Sequence, residues 1–144
     1  MATDVEEKNQ CHFLNDPDFQ ASHIFAELQS APLGFIDIGS RGGVRNFVNA
    51  IAQFAAVLAF EPDPQGIMEL NDSLADRYGF AVVENIAVGG FRGRGELNLY
   101  AHGVNHSLLK ASHVFRDRYR VSSLEYKGSL SVEVDTLDAI LFEY

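Results

Sequence analysis

The sequence predicts an α/β fold with a doubly wound, Rossmann-like sheet that is mostly parallel. Three near-continuous apolar runs carry this prediction, at residues 35–38, 56–60 and 80–88. Each run is separated from the next by a segment in which apolar residues recur at helical spacing. Strands this apolar are typical of parallel sheets, where helices cover both faces and neither face meets water.

Length and composition limit the classes of protein to consider. The chain has 144 residues, of which 47% are hydrophobic and 22% charged, as in a single globular domain. A formal net charge of −9 argues against nucleic acid as a partner, because phosphate binding needs a basic surface. The single cysteine, Cys11, has no internal disulfide partner, so we expect a cytoplasmic protein.

The amino-terminal region has neither the basic segment nor the apolar core of a signal peptide. No run approaches the roughly 18–20 apolar residues of a membrane span, and we expect no membrane partner. We expect two parts. Residues 1–30 should form an N-terminal extension that contains a helix, and residues 31–144 should form an α/β domain. Residues 1 to about 15 should be frayed, and Asp16 with Pro17 should open the first helix.

The elements of the α/β domain follow in order. A helix over residues 44–51 should follow the first strand, and a helix from Pro64 to Tyr78 should follow the second. After a loop over residues 89–95, polar and apolar residues alternate over 96–100 and 130–135. Alternation predicts strands with one wet face, added antiparallel at a sheet edge. Ser107 should cap a helix that reaches Tyr119, and Thr136 or Asp135 should cap a last short helix.

Acidic residues and a glycine turn lie at the ends of the first two strands. The first strand runs into the sequence FIDIGSRGG, which contains Asp37 and Gly39, and the second ends at Glu61. A strand, a glycine turn, a helix and a second strand make a βαβ unit, whose ligand lies outside the carboxyl ends of the strands. Gly39 would let the backbone approach a ligand closely, and Glu61 could accept hydrogen bonds from both ribose hydroxyls.

Two nucleoside cofactors compete for such a site. A dinucleotide usually requires the spacing G-x-G-x-x-G, whereas this turn has Arg41 where the second glycine would stand. Asp37 would repel a pyrophosphate and attract an ammonium or sulfonium, so electrostatics favours S-adenosylmethionine. A purely structural interpretation also exists, in which the glycine serves only the turn and the acids cap helices.

Other polar groups give weaker indications. His102, His106 and His113 are not accompanied by further ligands at metal-binding spacing, so we expect no metal site. His106 could act as a general base for an acceptor hydroxyl, although a loop histidine bonded to backbone explains it as well.

Six short motifs follow one another along the chain: Asp37-Ile38-Gly39, Phe60-Glu61-Pro62-Asp63, Asn85-Ile86-Ala87-Val88-Gly89, Gly95-Glu96-Leu97, Asn105-His106-Ser107-Leu108 and Val134-Asp135-Thr136-Leu137-Asp138. In these motifs the chain resembles the FkbM family of S-adenosylmethionine-dependent methyltransferases. The resemblance runs from Phe35 to Leu141, about three quarters of the chain.

The resemblance implies a role for each matching residue. Asp37, Gly39 and Arg41 would surround the methionine part of S-adenosylmethionine, although the family commonly has an asparagine where Arg41 stands. Arg41 would either grip the methionine carboxylate or point to solvent. Glu61 would hold the ribose.

The resemblance also implies the adenine side and the acceptor side. Pro62 and Asp63 would border the adenine. Three residues at the third strand would line the same crevice: Asn85, Ile86 and Ala87. The candidates for the acceptor side are Asn105, His106 and Ser107, of which the first and last would contact the acceptor or brace a loop over the cofactor. The resemblance identifies no catalytic base.

In the family, the Thr-Leu-Asp segment leads into a further core strand, which this sequence does not reach before Tyr144. We therefore expect the first part of a methyltransferase domain, with an incomplete sheet and incomplete catalytic machinery. The strand between Phe35 and Ile38 should then have an open edge, through which copies of the chain could self-associate.

The function implied by the resemblance is methyl transfer from S-adenosylmethionine to a small-molecule or glycan acceptor, with a hydroxyl on a sugar or natural product as the methylated group. Two alternatives remain open at this point. One is a nicotinamide-dinucleotide-binding dehydrogenase domain, and the other is a non-catalytic Rossmann-like binding module.

Overall fold

The computed structural model describes residues 12–44, 46–74 and 77–143. The expectation for Cys11 and most of the expected frayed segment lie outside these residues, while His12–Asn15 forms a 3-10 turn. The predicted first helix is two short helices, α1 (Pro17–Gln20) and α2 (His23–Ser30). Each begins at a side chain that accepts backbone N–H groups, Asp16 for α1 and Ser22 for α2, so the second cap divides the helix.

The first sheet is parallel, as predicted. It consists of β1 (Leu33–Ile38), β2 (Ala55–Phe60) and β3 (Phe80–Glu84), in the order β1-β2-β3. Leu33 and Gly34, which precede the predicted strand over residues 35–38, also belong to β1 and pair with the start of β2. The observed architecture is therefore α/β with a parallel sheet, consistent with a Rossmann-like fold.

Two helical segments connect these strands, α3 (Asn46–Asn49) and α4 (Pro64–Leu74). The predicted helix after β1 is shorter than expected, and a 3-10 turn at Ala52–Phe54 leads into β2. Strand order advances in one direction, so right-handed crossovers place both connections on one face. That face holds the larger core, formed by Val44, Val48, Ala52, Ala55, Val57, Ala59, Leu70, Leu74 and Tyr78.

The other face of this sheet is partly open. Ile36 and Ile38 of β1 are 40% and 54% exposed, and Phe80 at the start of β3 is also exposed. The prediction that helices cover these strands on both faces is therefore wrong for the described part of the chain. The apolar composition of β1 reflects a face that the described residues do not cover.

The third predicted strand, residues 80–88, is two strands. After β3 the chain leaves the first sheet, and β4 (Ala87–Val88) joins a second sheet. At the break, Asn85 Nδ2 donates to the carbonyl oxygens of Glu61 and Pro62, each at 3.1 Å. The side chain thus holds the break against the end of β2, where the ladder would otherwise continue.

The second sheet is a small mixed sheet in the order β4-β6-β5. Strands β5 (Gly93–Tyr100) and β6 (Tyr126–Asp135) pair antiparallel, and β4 pairs parallel to β6. The predicted alternating strands are confirmed, but they form their own sheet and do not extend the edge of the first. Residues 93–95, predicted as loop, belong to β5. A second small core is formed by Ala87, Leu97, Val132 and Val134.

Helix α5 (His113–Tyr119) begins six residues later than Ser107. Its N-cap is Ser112, whose Oγ accepts from the N–H of Phe115, so the prediction of a cap at Ser107 is wrong. Ser107 instead exchanges backbone hydrogen bonds with Asn98 of β5. The last helix, α6 (Leu137–Leu141), has Thr136 as its N-cap, one of the two caps expected.

The open edge of β1 is confirmed for the described residues, since β1 pairs with β2 alone among the strands given above. Its only charged residue is Asp37. Proteins usually protect a strand edge with lysine, proline or a bulge, and β1 has none of these.

We expect the chain to self-associate reversibly through this edge. Ile36→Lys, which places a charge on the edge strand, should weaken association by about tenfold, or ~1.4 kcal/mol. Ile24→Lys on α2 is a matched control, because it changes the same exposed residue type to the same charge. Sedimentation equilibrium over a concentration series measures the effect. Equal association of the two variants, or a wild-type chain that stays monomeric throughout, would contradict the expectation.

Candidate functional site

The carboxyl ends of β1 and β2 are joined by backbone hydrogen bonds. The N–H groups of Gly39 and Ser40 both donate to the carbonyl oxygen of Phe60, each at 3.0 Å. Gly39, Gly42 and Gly43 have φ angles of 77°, 89° and 98°, in the region that favours glycine. Residues 39–43, here named the glycine turn, therefore reverse direction tightly at the tip of β1.

Glu61 follows β2 directly and is 3% exposed. Its Oε1 accepts the N–H of Asp63 at 2.8 Å. Space for this side chain comes from Gly66 in α4, where a Cβ would lie 2.8 Å from the Glu61 carboxyl carbon. Burial raises the pKa of Glu61 above its ordinary value, while the hydrogen bond from Asp63 and the positive charge of Arg41 oppose the rise.

A cavity of about 550 Å³ opens beside these strand ends and extends to the second sheet. Eight of the predicted site residues line it, namely Gly39, Arg41, Glu61, Pro62, Ile86, Ala87, His106 and Ser107. The rest of the lining is mainly apolar and includes Phe91, Val104, Leu108 and Leu109. A cavity of this size suits a nucleotide-sized ligand.

Asp37 is not among the residues that line this cavity. It shares a face of the sheet with Phe35, because alternate residues of a strand point the same way, whereas its neighbour Ile38 lines the cavity. Burial raises the pKa of Tyr78, Arg77 opposes the rise, and the Asp37 carboxylate adds to it, so Asp37 acts on Tyr78. The structure therefore does not bring Asp37 and Glu61 together at this cavity.

The side chain of Arg41 does not point to solvent. Its Nη1 forms an ion pair with Asp63 Oδ2, and the two side chains are 13% and 12% exposed. Asp63 Oδ1 accepts the N–H of Gln65 at 3.0 Å, at the start of α4. One carboxylate oxygen of Asp63 thus accepts from the first turn of α4, and the other pairs with Arg41. Asp63 therefore borders the cavity indirectly, through Arg41.

The remaining predicted residues hold backbone segments in place. Asn85 bonds to the carbonyl oxygens after β2, as described above. Asn105 Nδ2 donates to the carbonyl oxygen of Ser123 at 3.1 Å, which fixes the 3-10 turn Gly103–Asn105. Ser107 Oγ accepts the N–H of Leu109 at 3.1 Å. Asn105 and Ser107 were expected either to contact the acceptor or to brace a loop. Their observed contacts are of the second kind.

Sequence reasoning missed two residues that shape the cavity wall. Asn98 is 2% exposed, and its Nδ2 donates to the carbonyl oxygens of Ser107 and Leu108. Gly103 lies against Arg41, where a Cβ would come within 2.4 Å of the guanidinium Nε. The only signal for Asn98 in the sequence was a polar residue between Leu97 and Leu99 of an alternating strand. Nothing in the sequence around Gly103 indicated its contact.

Within the described ranges, no group of three His, Cys, Asp or Glu side chains is arranged to hold a metal ion. Nor does any helix in this part of the chain have the length and apolar character needed to cross a membrane. A comparison with known proteins finds no matching family model, no matching curated protein and no matching solved structure.

Glu61 should lower the stability of the fold at neutral pH. Its carboxyl titrates at the ordinary value of 4.5 when unfolded and at a higher value when folded. As the pH rises from about 4.5 through the folded value, the unfolded state releases its proton first, so the free energy of unfolding falls. Glu61→Gln keeps the acceptor oxygen for Asp63 and removes this ionisation.

We therefore expect Glu61→Gln to unfold at higher urea concentration than wild type at pH 7, with the difference vanishing towards pH 4. Urea denaturation at four pH values between 4 and 8 measures the difference, and comparison with wild type cancels the other titrating groups. A variant less stable than wild type at pH 7 would show that the Glu61 charge is favourable in the fold.

Proposed function

We propose that this chain is the cofactor-binding part of an S-adenosylmethionine-dependent methyltransferase of the FkbM type. The observation that carries the proposal is the buried carboxylate of Glu61 at the tip of β2, on the wall of a 550 Å³ cavity. A buried carboxylate with a raised pKa is unfavourable for folding, and such groups cluster at binding and catalytic sites. Ribose hydroxyls would supply this carboxylate with hydrogen-bond donors in addition to the N–H of Asp63.

The residues present fit an adenosine group. Glu61 would hold the ribose, because a carboxylate can accept from two neighbouring hydroxyls at once. Pro62 and Ile86 line the cavity next to it, and apolar side chains of this kind suit the faces of an adenine ring. Gly39 lines the same cavity without a side chain, which leaves room for a ligand close to the backbone.

The amide groups of the glycine turn favour this ligand over a dinucleotide. Pyrophosphate sites need free N–H groups at the start of a helix. Here three of the five N–H groups of the glycine turn are already bonded, since those of Gly39 and Ser40 donate to Phe60 and that of Gly43 donates to Ser40. A negative charge at this position would also repel phosphate. Asp37 does not line the cavity, so its charge contributes nothing to this preference.

When bound, S-adenosylmethionine supplies a methyl group on a positively charged sulfur. The chain's own residues would bind and orient the cofactor and exclude water from it, since the reaction is an in-line displacement that depends on positioning. The apolar wall of Phe91, Val104 and Leu109 would shield the reacting region. The acceptor we propose is a hydroxyl of a sugar or natural product, and the described residues present no carboxylate besides Glu61 on the cavity lining to act as its base.

Isothermal titration calorimetry with S-adenosylhomocysteine tests the proposal. We expect wild type to bind, and Glu61→Ala to bind about ten- to hundredfold more weakly, because hydrogen bonds to a charged group contribute ~1.5–3 kcal/mol. Glu27→Ala is the matched control, because it removes an exposed carboxylate on α2, outside the cavity. It should bind as wild type does.

NAD and S-adenosylmethionine complete the titration series. Binding of NAD with no binding of S-adenosylhomocysteine would overturn the proposal in favour of a dehydrogenase domain. Equal loss of affinity in Glu61→Ala and Glu27→Ala would show that the cavity beside β2 is not the site.

A further inference from the structure

Arg41 joins three separate segments at the cavity. It belongs to the glycine turn, pairs with Asp63 after β2, and packs against the backbone of Gly103, which together with His106 lines the cavity. Its Nη2 also lies 3.8 Å from the more exposed carboxylate of Glu69. The guanidinium is thus largely enclosed, with its charge balanced by Asp63.

His106 contacts this ion pair through one ring nitrogen. Its Nδ1 lies 3.1 Å from Arg41 Nη1 and 3.3 Å from Asp63 Oδ2. A guanidinium can only donate hydrogen bonds and an ionised carboxylate can only accept them, so these contacts require opposite states of Nδ1. Arg41 requires a lone pair on Nδ1, and Asp63 requires a proton there.

The contact with Arg41 is the shorter of the two, and Asp63 Oδ2 already accepts from Arg41. A proton on Nδ1 would also point at the guanidinium hydrogens, 3.1 Å from Nη1. With a lone pair on Nδ1, His106 can accept a hydrogen bond from Arg41, and neither conflict arises. The ring then carries its proton on Nε2, the nitrogen that these two partners leave free.

We propose that Arg41 fixes His106 in the Nε2–H form, so that His106 offers the cavity a hydrogen-bond donor and not a base. The side chain is then a positioning residue that binds an oxygen atom of the ligand. The identity of that ligand rests on the proposed function. The position of the proton on the ring does not, because it is set by Arg41 and not by the ligand. In this form His106 does not act as a general base for an acceptor hydroxyl, because a base needs a lone pair on Nε2.

Long-range ¹H–¹⁵N correlation spectra of the full chain test the proposal without any ligand. The tautomer of each histidine ring is read from its pattern of cross-peaks, and the signals missing in His106→Gln identify His106. We expect Nε2–H in the wild type at pH 7.5. A proton on Nδ1, alone or together with one on Nε2, would overturn the proposal.

Two variants should move the proton to Nδ1 by different routes. Arg41→Met removes the donor and leaves Asp63 as the partner of Nδ1. Gly103→Ala keeps the guanidinium but displaces it, because the new Cβ would lie 2.4 Å from Nε. Arg41→Lys retains a cationic donor and should keep Nε2–H. An unchanged ring in both Arg41→Met and Gly103→Ala would show that Arg41 does not set the tautomer.

Ligand affinity gives a second measurement. The amide of His106→Gln can still donate to the cavity, whereas His106→Leu cannot. We expect S-adenosylhomocysteine to bind His106→Gln about as tightly as wild type, and His106→Leu about two- to tenfold more weakly, the effect of one neutral hydrogen bond. Equal affinities would overturn the donor role. Failure of the wild type to bind would instead reject the proposed function and leave the tautomer result standing.

Discussion

The carbonyl oxygen of Phe60 joins the tips of β1 and β2, on which the strand-end residues of the site depend. It accepts two N–H groups of the glycine turn, so the tip of β1 is held against the tip of β2. The parallel register makes this geometry specific, because Ile38 pairs with Phe60 and the next residue on each strand begins its turn. A shift by one residue would exchange the faces of every side chain in β2 and move Glu61 away from the cavity.

Two acidic residues at the end of β2 show how differently the fold treats a buried charge. Asp63 is compensated on both oxygens, by the ion pair with Arg41 and by the start of α4. Glu61 accepts the N–H of Asp63, but no side-chain cation among the described residues lies at hydrogen-bond distance from it, and desolvation is the largest influence on its pKa. Desolvating a carboxylate costs several kcal/mol unless donors surround it, which is why Glu61 and not Asp63 is the residue that a ligand would satisfy.

Features governed by local sequence could be predicted, and those governed by distant contacts could not. The parallel strands followed from apolar runs, and the caps at Asp16 and Thr136 followed from the residues beside them. The choice between Ser107 and Ser112 as the cap of α5 depended on Asn98, which pairs with Ser107 from another strand. The split of the third strand depended likewise on Asn85 reaching the carbonyl oxygens after β2.

The same distinction applies to the site. Gly39, Glu61 and Pro62 were predictable because the ends of parallel strands meet at one edge whatever the rest of the sequence is. The role of Arg41 was not, because Gly103 and His106, which contact Arg41 besides Asp63, come from a segment whose approach depends on the second sheet. Asp37 illustrates the limit of spacing as an argument. Its position at a strand end was inferred correctly, but strand alternation turns it to the face of the sheet that holds Phe35 and away from the cavity.

The cavity is therefore built from two kinds of wall. The strand ends form one wall, fixed by a ladder of backbone hydrogen bonds and by the larger core behind it. The segment from Gly103 to Leu109 forms the other, held by the side chains of Asn98, Asn105 and Arg41, with Val104 and Leu109 more than half exposed. A segment with little buried apolar surface opens at lower free energy than a core strand. The polar contacts to Asn98 and Arg41 consequently determine how well this wall is ordered, and a ligand between the two walls gains from every contact that keeps it in place.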